Sequence, residues 1–377
     1  MRIAIVHYWL LGMRGGEIVL EALCRLLPGA DIFTLFYDPQ RVSPFLRSQN
    51  VHASFLNPAR RFYRSLLPVM PFALESFDLR GYDLVVSSES GPAKAVIAPS
   101  GARHVCYCHT PMRYLWDLYP DYLHDFTRSR WKRLTMAGLA SWLRTWDFAS
   151  AARVDEFVAN SENVRQRIWR TYRRRAQVVY PPVAVETYYW RPAEDYCLAV
   201  AELVPYKRLN YAVRVFSRTG RRLKIVGDGP EYKQLRRLAG STVEFCGRVT
   251  EAELRKLYAH SRALVVPGEE DFGMNMVGSL ASGKPLVALG RGGAKEIAGR
   301  KHGILYNEPT EPALEEALAR LESVSFDRDA LQSHAQRFSE NEFRRRMRGV
   351  LFAAAPRLTR RPAARSDKLE LEDWPSG

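Results

Sequence analysis

A segment near position 270 combines acidic side chains, a glycine and an expected helix start. Residues 265–285 read VVPGEEDFGMNMVGSLASGKP, so that a strand ends in carboxylates and a helix begins near Asn275. Backbone N–H groups at a helix start attract phosphate oxygens. Carboxylates beside them would repel phosphate, so the neutral hydroxyls of a sugar are better partners for them. The segment therefore suits a sugar diphosphate, and an acidic N-cap on an ordinary α/β helix is the open alternative.

Basic and glycine-containing segments follow two other expected strands in the second half of the chain. Residues 201–209 read AELVPYKRL, and Lys207 or Arg208 could reach a diphosphate leaving group. A solvated basic loop is the alternative for this segment. Residues 227–230 read GDGP, which by itself indicates only a turn.

Two further segments follow expected strands in the first half. Residues 7–17 read HYWLLGMRGGE, and their paired Gly15 and Gly16 would let the backbone approach a ligand closely. The segment is not the G-x-G-x-x-G fingerprint, which argues against a nicotinamide dehydrogenase. Residues 108–114 read CHTPMRY, and His109 stands at a strand end, where the ligands of α/β proteins gather. A purely structural role for this histidine is the equal alternative.

Short β-rich runs alternate with helical patterns, which is typical of doubly wound, parallel α/β sheets. Two such series in succession predict two Rossmann-like domains. Pro181 and Pro182 end a strand where no helix can continue, so the first domain is expected at 1–182 and the second at 183–338. The strands are expected at 2–7, 31–36, 83–87, 94–97, 104–108, 156–159, 177–180, 196–200, 222–226, 242–245, 262–266, 285–289 and 303–306.

Length and composition agree with this division. A chain of 377 residues with 46% hydrophobic residues favours two packed domains over a disordered chain. No apolar run reaches the roughly 18 residues of a spanning helix, and the N-terminal MRIAIVH is not a signal peptide. The five cysteines are expected to be reduced thiols of a cytoplasmic protein. Residues 339–355 contain an expected basic amphipathic helix, and residues 356–377 an expected disordered tail.

In combination these segments resemble the retaining glycosyltransferases of family 4, which have the GT-B fold. The resemblance covers Met1 to about Phe352 and rests on six pieces at the family's order and spacing. These are LVPYKR at 203–208, VGDGP at 226–230, FCGRV at 245–249, EDFG at 270–273, ASGKP at 281–285 and GRGG at 290–293. It implies two Rossmann-like domains facing across a cleft, with the helix at 339–355 packing back on the first domain.

The resemblance also implies which residues bind the donor. Glu270 would bind hexose hydroxyls and His109 would position the transferred sugar, so these two are the expected catalytic residues. The first domain's glycine pair would approach a diphosphate held near Lys207 and Arg208, and the base would lie beside residues 247–249. The other donor-binding residues expected are Gly15, Gly16, Gly247, Arg248, Val249, Phe272, Gly273, Met274 and Asn275. No metal or cofactor is expected, since cations and helix dipoles would neutralise the leaving group.

Two positions depart from the family pattern. The family carries glutamates at both ends of an E-x7-E motif, whereas here Glu270 is followed by Gly278. A lost charge-assisted hydrogen bond to ribose would cost roughly 1.5–3 kcal/mol. Glu202 stands where many members have arginine, so it must turn away or pair with a neighbour such as Lys207 or Arg208. A weakened or non-catalytic homologue acting as a binding subunit is therefore the alternative to an active hexosyltransferase.

The net charge of +15 and pI of 9.7 require a separate explanation. Residues 127–175 hold twelve basic and four acidic residues interleaved with aromatic side chains, a composition that suits an anionic membrane surface. Residues 60–70, RRFYRSLLPVM, form a second candidate. A core-facing stripe with a solvated basic face is the nearly equal alternative. Both segments lie in the expected acceptor-side domain, so a lipid-linked acceptor at the inner membrane face would explain the charge.

The donor is the least determined part of the prediction. Bacterial polysaccharide mannosyltransferases resemble the chain most, so the expected donor is GDP-mannose, used as a substrate to extend a lipid-linked or polysaccharide acceptor with retention. A nucleic-acid-binding protein is the less favoured class, because no motif of that class accompanies the charge. A nucleotide-sugar epimerase on the same fold is a third class.

Overall fold

The computed structural model describes residues 1–119, 130–299 and 301–353, and it contains two parallel sheets. The first has seven strands in the order β3-β2-β1-β4-β5-β6-β7, and the second has six in the order β10-β9-β8-β11-β12-β13. Each sheet is surrounded by helices and has its own buried core. The predicted pair of Rossmann-like α/β domains is therefore confirmed.

The strands of the first sheet end at Val178 and those of the second begin at Cys197. In chain order the strands are Ile3–His7, Asp31–Thr34, Val51–Ala53, Leu84–Glu89, Arg103–Cys108, Glu156–Ala159, Ala176–Val178, Cys197–Val200, Leu223–Val226, Val243–Gly247, Leu264–Val266, Leu286–Leu289 and Gly303–Tyr306. They are numbered β1 to β13.

The helices lie between the strands, and short 3-10 turns adjoin several of them. The α-helices, α1 to α13, are Gly15–Leu26, Pro44–Arg47, Met70–Glu75, Arg130–Ser150, Glu162–Tyr172, Leu209–Thr219, Tyr232–Leu238, Glu251–His260, Met274–Ala281, Ala294–Ile297, Glu311–Ser323, Arg328–Ala335 and Glu340–Phe352. The 3-10 helices are Asn57–Val69, Ala93–Ala95, Ala151–Arg153, Val185–Thr187, Pro205–Lys207 and Gln336–Phe338.

Central strands are buried because both of their faces are covered. Every residue of β4 is buried, and this strand pairs with β1 on one side and β5 on the other. Parallel strands covered by helices on both sides have such continuous buried runs. All strands of a sheet point the same way, so the loops that follow them meet at one edge. The quoted segments therefore gather there.

One predicted strand is wrong and one strand was missed. Residues 94–97, predicted as a strand, contain part of the 3-10 turn Ala93–Ala95, in which Lys94 is fully buried. The ammonium of Lys94 pairs with Asp147 and lies 3.8 Å from Glu89. The turn positions the lysine for these ion pairs, which the apolar pattern of the surrounding sequence does not indicate. The short edge strand β3 was missed because its side chains are largely exposed.

The last helix, α13, returns to the first domain. Phe343, Met347 and Val350 are buried in the core that β1 and α1 form. The guanidinium of Arg103 on β5 donates to the carbonyl oxygens of Val350 and Leu351, each at 3.0 Å. The expected disordered tail at 356–377 lies outside the described residues. Within the described residues no helix is long and apolar enough to cross a membrane.

Candidate functional site

The centre of the site is an ion pair between the two loops that follow β8 and β11. The ammonium of Lys207 lies 2.6 Å from each carboxylate oxygen of Glu270. Both side chains are mostly buried, with 17% and 20% of their surfaces exposed. Burial is the largest single effect and opposes the charge on Lys207, but the Glu270 carboxylate, together with Tyr206 and Asp271, raises the pKa of the lysine. The structure thus joins two residues that the sequence placed in separate motifs.

The two other carboxylates of the acidic segment are paired with arginines of the first domain. Arg167 on α5 contacts Asp271 and lies 2.9 Å from Glu269. Arg113 lies 3.5 Å from Asp271. Arg167 also lies 2.7 Å from Asp117, so four carboxylates face three cations, counting the pair of Lys207 with Glu270. These pairings reduce the repulsion that bare carboxylates would exert on a phosphate.

Helix α9 begins directly behind this cluster. Gly273 has φ of 101°, a left-handed conformation that favours glycine, and α9 follows at Met274. The first N–H groups of a helix have no partner within it, so they are available to an anion at this end. The loop after β12 supports the turn, because the N–H of Gly293 donates to the carbonyl of Glu270 at 2.9 Å. The turn thus holds Glu270 and the helix start together.

A second helix start meets the first across the domain boundary. Gly15 and Gly16 form the first turn of α1. A Cβ on Gly15 would lie 3.3 Å from the sulfur of Met274, and one on Gly16 would collide with the hydroxyl of Tyr8. The absence of both side chains lets the backbone of α1 come close to α9. Two positive helix ends therefore converge beside Lys207.

Gly16→Ala is expected to lower both stability and activity, because the new methyl must displace Tyr8, whose ring packs in the first-domain core. Overpacking of this kind costs about 1–3 kcal/mol. Gly12→Ala is the matched control in the same loop, since a Cβ there meets nothing within 4 Å. Thermal unfolding of the two variants measures the difference, and equal melting temperatures would contradict the close approach.

His109 is held by a hydrogen-bonded chain of side chains at the end of β5. Its Nε2 lies 3.0 Å from the hydroxyl of Ser88, which is also 3.2 Å from Nδ1 of His7. His7 is fully buried and packs on Tyr8 beside the glycine pair. Burial, with a smaller effect of His7, lowers the pKa of His109 to about 3. The neutral ring can position a sugar by hydrogen bonding, and it cannot serve as a cation at neutral pH.

His109→Gln is expected to change how stability depends on pH. The folded-state pKa of His109 lies below its ordinary value, so the unfolded chain takes up a proton that the folded chain refuses. The native protein is therefore penalised as pH falls below about 6.5, and no such penalty exists above it. Denaturant unfolding at pH 7.5 and pH 5 should show a smaller loss for the variant than for the parent. Equal losses would place His109 in a solvated setting.

The other expected donor residues occupy different positions around this centre. Nη1 of Arg208 is buried and has no hydrogen-bond partner among the described residues. It can therefore donate a hydrogen bond to a bound anion. Gly247 ends β10, and Arg248 beside it is 82% exposed at the rim, while Val249 packs against a core cluster. These three lie at the sheet edge where α/β ligands bind.

Two expected residues have their side chains engaged elsewhere. The ring of Phe272 is 3% exposed and packs against Tyr180 and Phe338. The side-chain amide of Asn275 donates to the carbonyl of Val200 at 2.9 Å. A contact of either residue with a donor would therefore involve its backbone.

Comparisons with known proteins cover both domains. The family described as Glycosyltransferase Family 4 matches residues 13–187, and the one described as Glycosyl transferases group 1 matches residues 194–323. The chain is a GT-B protein of the group 1, family 4-like glycosyltransferases. A curated relative, the uncharacterized glycosyltransferase MJ1178 of Methanocaldococcus jannaschii, is 27% identical over 49% of this chain. The match spans only 55% of that relative's length.

Solved structures share the two-domain fold at low identity. Alr3699/HepE of Anabaena in complex with UDP and glucose has a TM-score of 0.66 at 16% identity, over 94% of this chain and 100% of that one. Sucrose-phosphate synthase from Thermosynechococcus elongatus has a TM-score of 0.68 at 16% identity, with the same coverage. The likeness to these solved structures confirms the GT-B fold.

The first departure of this GT-B protein from its family, Glu202, pairs across the domain boundary. Its carboxylate lies 3.3 Å from the guanidinium of Arg14 on the first domain. The sequence suggested that it turns away or pairs with a neighbour such as Lys207 or Arg208, but Lys207 is engaged with Glu270. Glu202 thus contributes to the contact between the domains at the mouth of the cleft.

At the second departure, Gly278, a side chain from outside the helix occupies the space next to the glycine. A Cβ at this position would lie 3.0 Å from Cε1, Cζ and the hydroxyl oxygen of Tyr188. Burial raises the pKa of Tyr188 to about 12, so the hydroxyl stays protonated. An uncharged aromatic ring therefore occupies the space in front of the position where the family carries its second carboxylate.

Gly278→Glu is expected to destabilise the GT-B protein rather than complete its motif. The new Cβ would press on the ring of Tyr188, at a cost of about 1–3 kcal/mol. Tyr188→Ser should relieve part of that cost, so the two changes should be coupled in a double-mutant cycle of unfolding free energies. Strictly additive free energies would mean that Tyr188 does not fill the position.

Three residues of the site were not identified from the sequence. Arg113 lay in a quoted segment without a role, and Arg167 was counted only as part of a basic stretch. Arg14 adjoins the glycine pair, but its partner Glu202 is far away in the chain. An arginine beside a glycine-rich turn is a usable signal, whereas the partners of Arg167 become neighbours only in the folded chain.

Proposed function

We propose that the protein transfers a hexose from a sugar nucleotide to a lipid-linked or polysaccharide acceptor, with retention of the anomeric configuration. The observation that supports this most is the pair of Lys207 and Glu270 beside two converging helix starts. A carboxylate suited to sugar hydroxyls and cationic groups suited to a diphosphate lie within one cluster. That is the combination that a sugar nucleotide requires.

The proposed division of work follows the chemistry of the groups. The diphosphate would be held by the starts of α1 and α9, by Lys207 and by the unpartnered Nη1 of Arg208. Positive charge at this place stabilises the leaving nucleotide as the glycosidic bond breaks. Glu270 would accept hydrogen bonds from hexose hydroxyls, and neutral His109 would orient the same sugar.

For the donor we propose GDP-mannose, with UDP-glucose as the competitor that the structural neighbour with UDP and glucose suggests. The base would lie beside Gly247, Arg248 and Val249. A thermal-shift screen of sugar nucleotides separates the two, because a ligand at 100 times its dissociation constant stabilises a protein by roughly 2.7 kcal/mol. A shift with UDP-glucose alone would replace the mannosyl assignment.

We propose that transfer requires neither metal nor cofactor, because helix dipoles and cationic side chains surround the expected diphosphate. Activity measured with and without excess EDTA, after exhaustive dialysis, tests this. Turnover that disappears with EDTA and returns with Mg²⁺ or Mn²⁺ would contradict it.

A weakened or non-catalytic binding subunit is the second candidate, and the ring of Tyr188 before Gly278 is the observation that favours it. Release of free nucleotide from the bound donor separates the two. An active transferase releases nucleotide only with acceptor present, a binding subunit releases none, and an epimerase converts the donor without acceptor. Filter binding of nucleic acid over a salt series tests the less favoured class.

For the acceptor side we propose contact with an anionic membrane surface. In residues 60–70 Phe62 is 57% exposed, and Phe55 and Phe72 nearby in the chain are 63% and 62% exposed. Exposed aromatic rings among arginines suit an anionic bilayer. The stretch 127–175 supports this less, because Arg153, Arg165 and Arg167 are engaged in ion pairs within the protein. Its residues 127–129, and the side chains of 130–136, lie outside the described part.

Flotation with liposomes tests this surface. Vesicles containing anionic lipid should carry the protein upwards at low salt, and Phe62→Ser with Phe72→Ser should reduce the floated fraction. Phe352→Ser, at an exposed phenylalanine on α13, is the matched control. Equal flotation with neutral and anionic vesicles would contradict the proposal.

A further inference from the structure

An open cleft of about 500 Å³ lies in the first domain, beside the loop that carries the glycine pair. Volumes of 300–1,000 Å³ are typical of small-molecule sites. Trp9, Gly12 and Arg14 line one side of the cleft, and residues of the 3-10 segment Asn57–Val69 line the other. None of the expected donor-binding residues lines it.

The charge of the cleft is predominantly positive. Arg14, Arg41, Arg60 and Arg61 line it against two carboxylates. One of these, Asp38, lies 3.9 Å from Arg60, and the other, Glu17, accepts from the backbone N–H of Arg14 at 2.9 Å. Arg41 and Arg61 have no carboxylate partner among the described residues. Two guanidinium groups are therefore available to an anion that enters the cleft.

The wall of the cleft includes two aromatic rings. Trp9 and Tyr63 lie edge to face, with ring centroids 5.1 Å apart, and both line the cleft. Aromatic rings present an apolar face for the C–H groups of a sugar ring and a polar edge for its hydroxyls. An arginine next to such a wall can bind a phosphate or carboxylate through two parallel hydrogen bonds.

The cleft opens next to the place where the sugar would be transferred. Arg14 lines it and precedes the glycine pair, whose backbone approaches Met274 at the start of α9. Trp9 follows Tyr8, which packs on both His7 and His109. A glycan in the cleft would therefore lie beside the expected position of the transferred hexose.

From these observations we propose that the cleft binds the acceptor through an anionic group, a phosphate or a carboxylate carried by the accepting glycan. Arg41 and Arg61 bind the anion, and Trp9 and Tyr63 contact the sugar ring. The inference rests on the proposed transfer reaction and specifies its acceptor class. The protein would therefore bind an acceptor with this anionic group more tightly than a neutral glycan of the same shape.

The test compares three soluble probes by ligand-observed NMR and calorimetry on the full chain saturated with nucleotide. They are glucose 1-phosphate, methyl glucuronide and uncharged methyl glucoside. At least one charged probe should bind roughly tenfold or more tightly than methyl glucoside. The stronger of the two charged probes identifies the source of the anion. Arg41→Ala combined with Arg61→Ala should remove the advantage, and Arg47→Ala, at an exposed arginine of the same domain that does not line the cleft, should retain it.

Binding of methyl glucoside as tight as that of both charged probes would overturn the inference, as would unchanged binding in the double variant or no binding of any probe. Nucleotide affinity is measured in the same samples. If the double variant still binds nucleotide and still prefers the charged probe, only the proposed anionic acceptor is contradicted. A failure to bind any nucleotide contradicts the proposed function itself.

Discussion

Glu270→Ala is expected to lower kcat/KM for the sugar nucleotide by roughly 10²- to 10⁴-fold, if the carboxylate accepts two hydrogen bonds from the sugar. Each charge-assisted bond contributes about 1.5–3 kcal/mol. The affinity for the free nucleotide should not fall, because removing Glu270 releases Lys207, which lies 2.6 Å away, to bind the diphosphate. Steady-state kinetics and nucleotide titration together measure the two effects.

Glu269→Ala is the matched control for this prediction. Glu269 belongs to the same acidic segment, but its carboxylate lies 2.9 Å from Arg167 at the domain boundary. We expect a much smaller loss of kcat/KM for this variant. Equal losses for the two variants would mean that the charge of the segment matters and that Glu270 has no specific contact with the sugar.

Lys207→Met is expected to produce the opposite signature. The variant lacks the cation nearest to the expected diphosphate, and the Glu270 carboxylate, only 20% exposed, has lost its partner. Repulsion between this carboxylate and phosphate adds to the lost attraction, so free nucleotide should bind roughly 100-fold more weakly. Calorimetric titration with nucleotide diphosphates measures the loss.

Lys233→Met, at an exposed lysine on α7 of the same domain, is the control for the change in net charge. It should bind nucleotide as the parent protein does. If combining Lys207→Met with Glu270→Gln restores nucleotide affinity, the unpaired Glu270 carboxylate causes part of the affinity loss in Lys207→Met. An unchanged affinity in Lys207→Met alone would remove this lysine from the donor site.

The parts of the fold that sequence predicted well are those with strong local patterns. The central strand β4 is buried throughout and begins with the apolar residues Leu84, Val85 and Val86, because helices cover both of its faces. The position of the acidic segment after β11 followed from a strand ending in carboxylates and glycine. Residues 94–97 were predicted as a strand although they contain part of the 3-10 turn Ala93–Ala95, because the buried partners that Lys94 meets lie in other elements.

The sequence named several residues of the candidate site, but it gave neither their pairing nor the contacts of Arg14, Arg113 and Arg167. Lys207 and Glu270 were both identified, yet their contact joins loops 63 positions apart in the chain. Arg167 reaches Glu269 and Asp271 from another domain, which no local pattern encodes. Tyr188 likewise occupies the space next to Gly278 only in the folded chain, so the sequence pattern could not predict this contact.

Calorimetric titration of the purified protein with a panel of sugar nucleotides that includes GDP-mannose and UDP-glucose tests directly whether Glu270 and Lys207 form a donor site. We expect saturable binding of at least one of them, strongly weakened in Lys207→Met and retained in Lys233→Met. Absence of binding for every sugar nucleotide, by a protein that is folded in thermal unfolding, would contradict a donor site at Glu270 and Lys207.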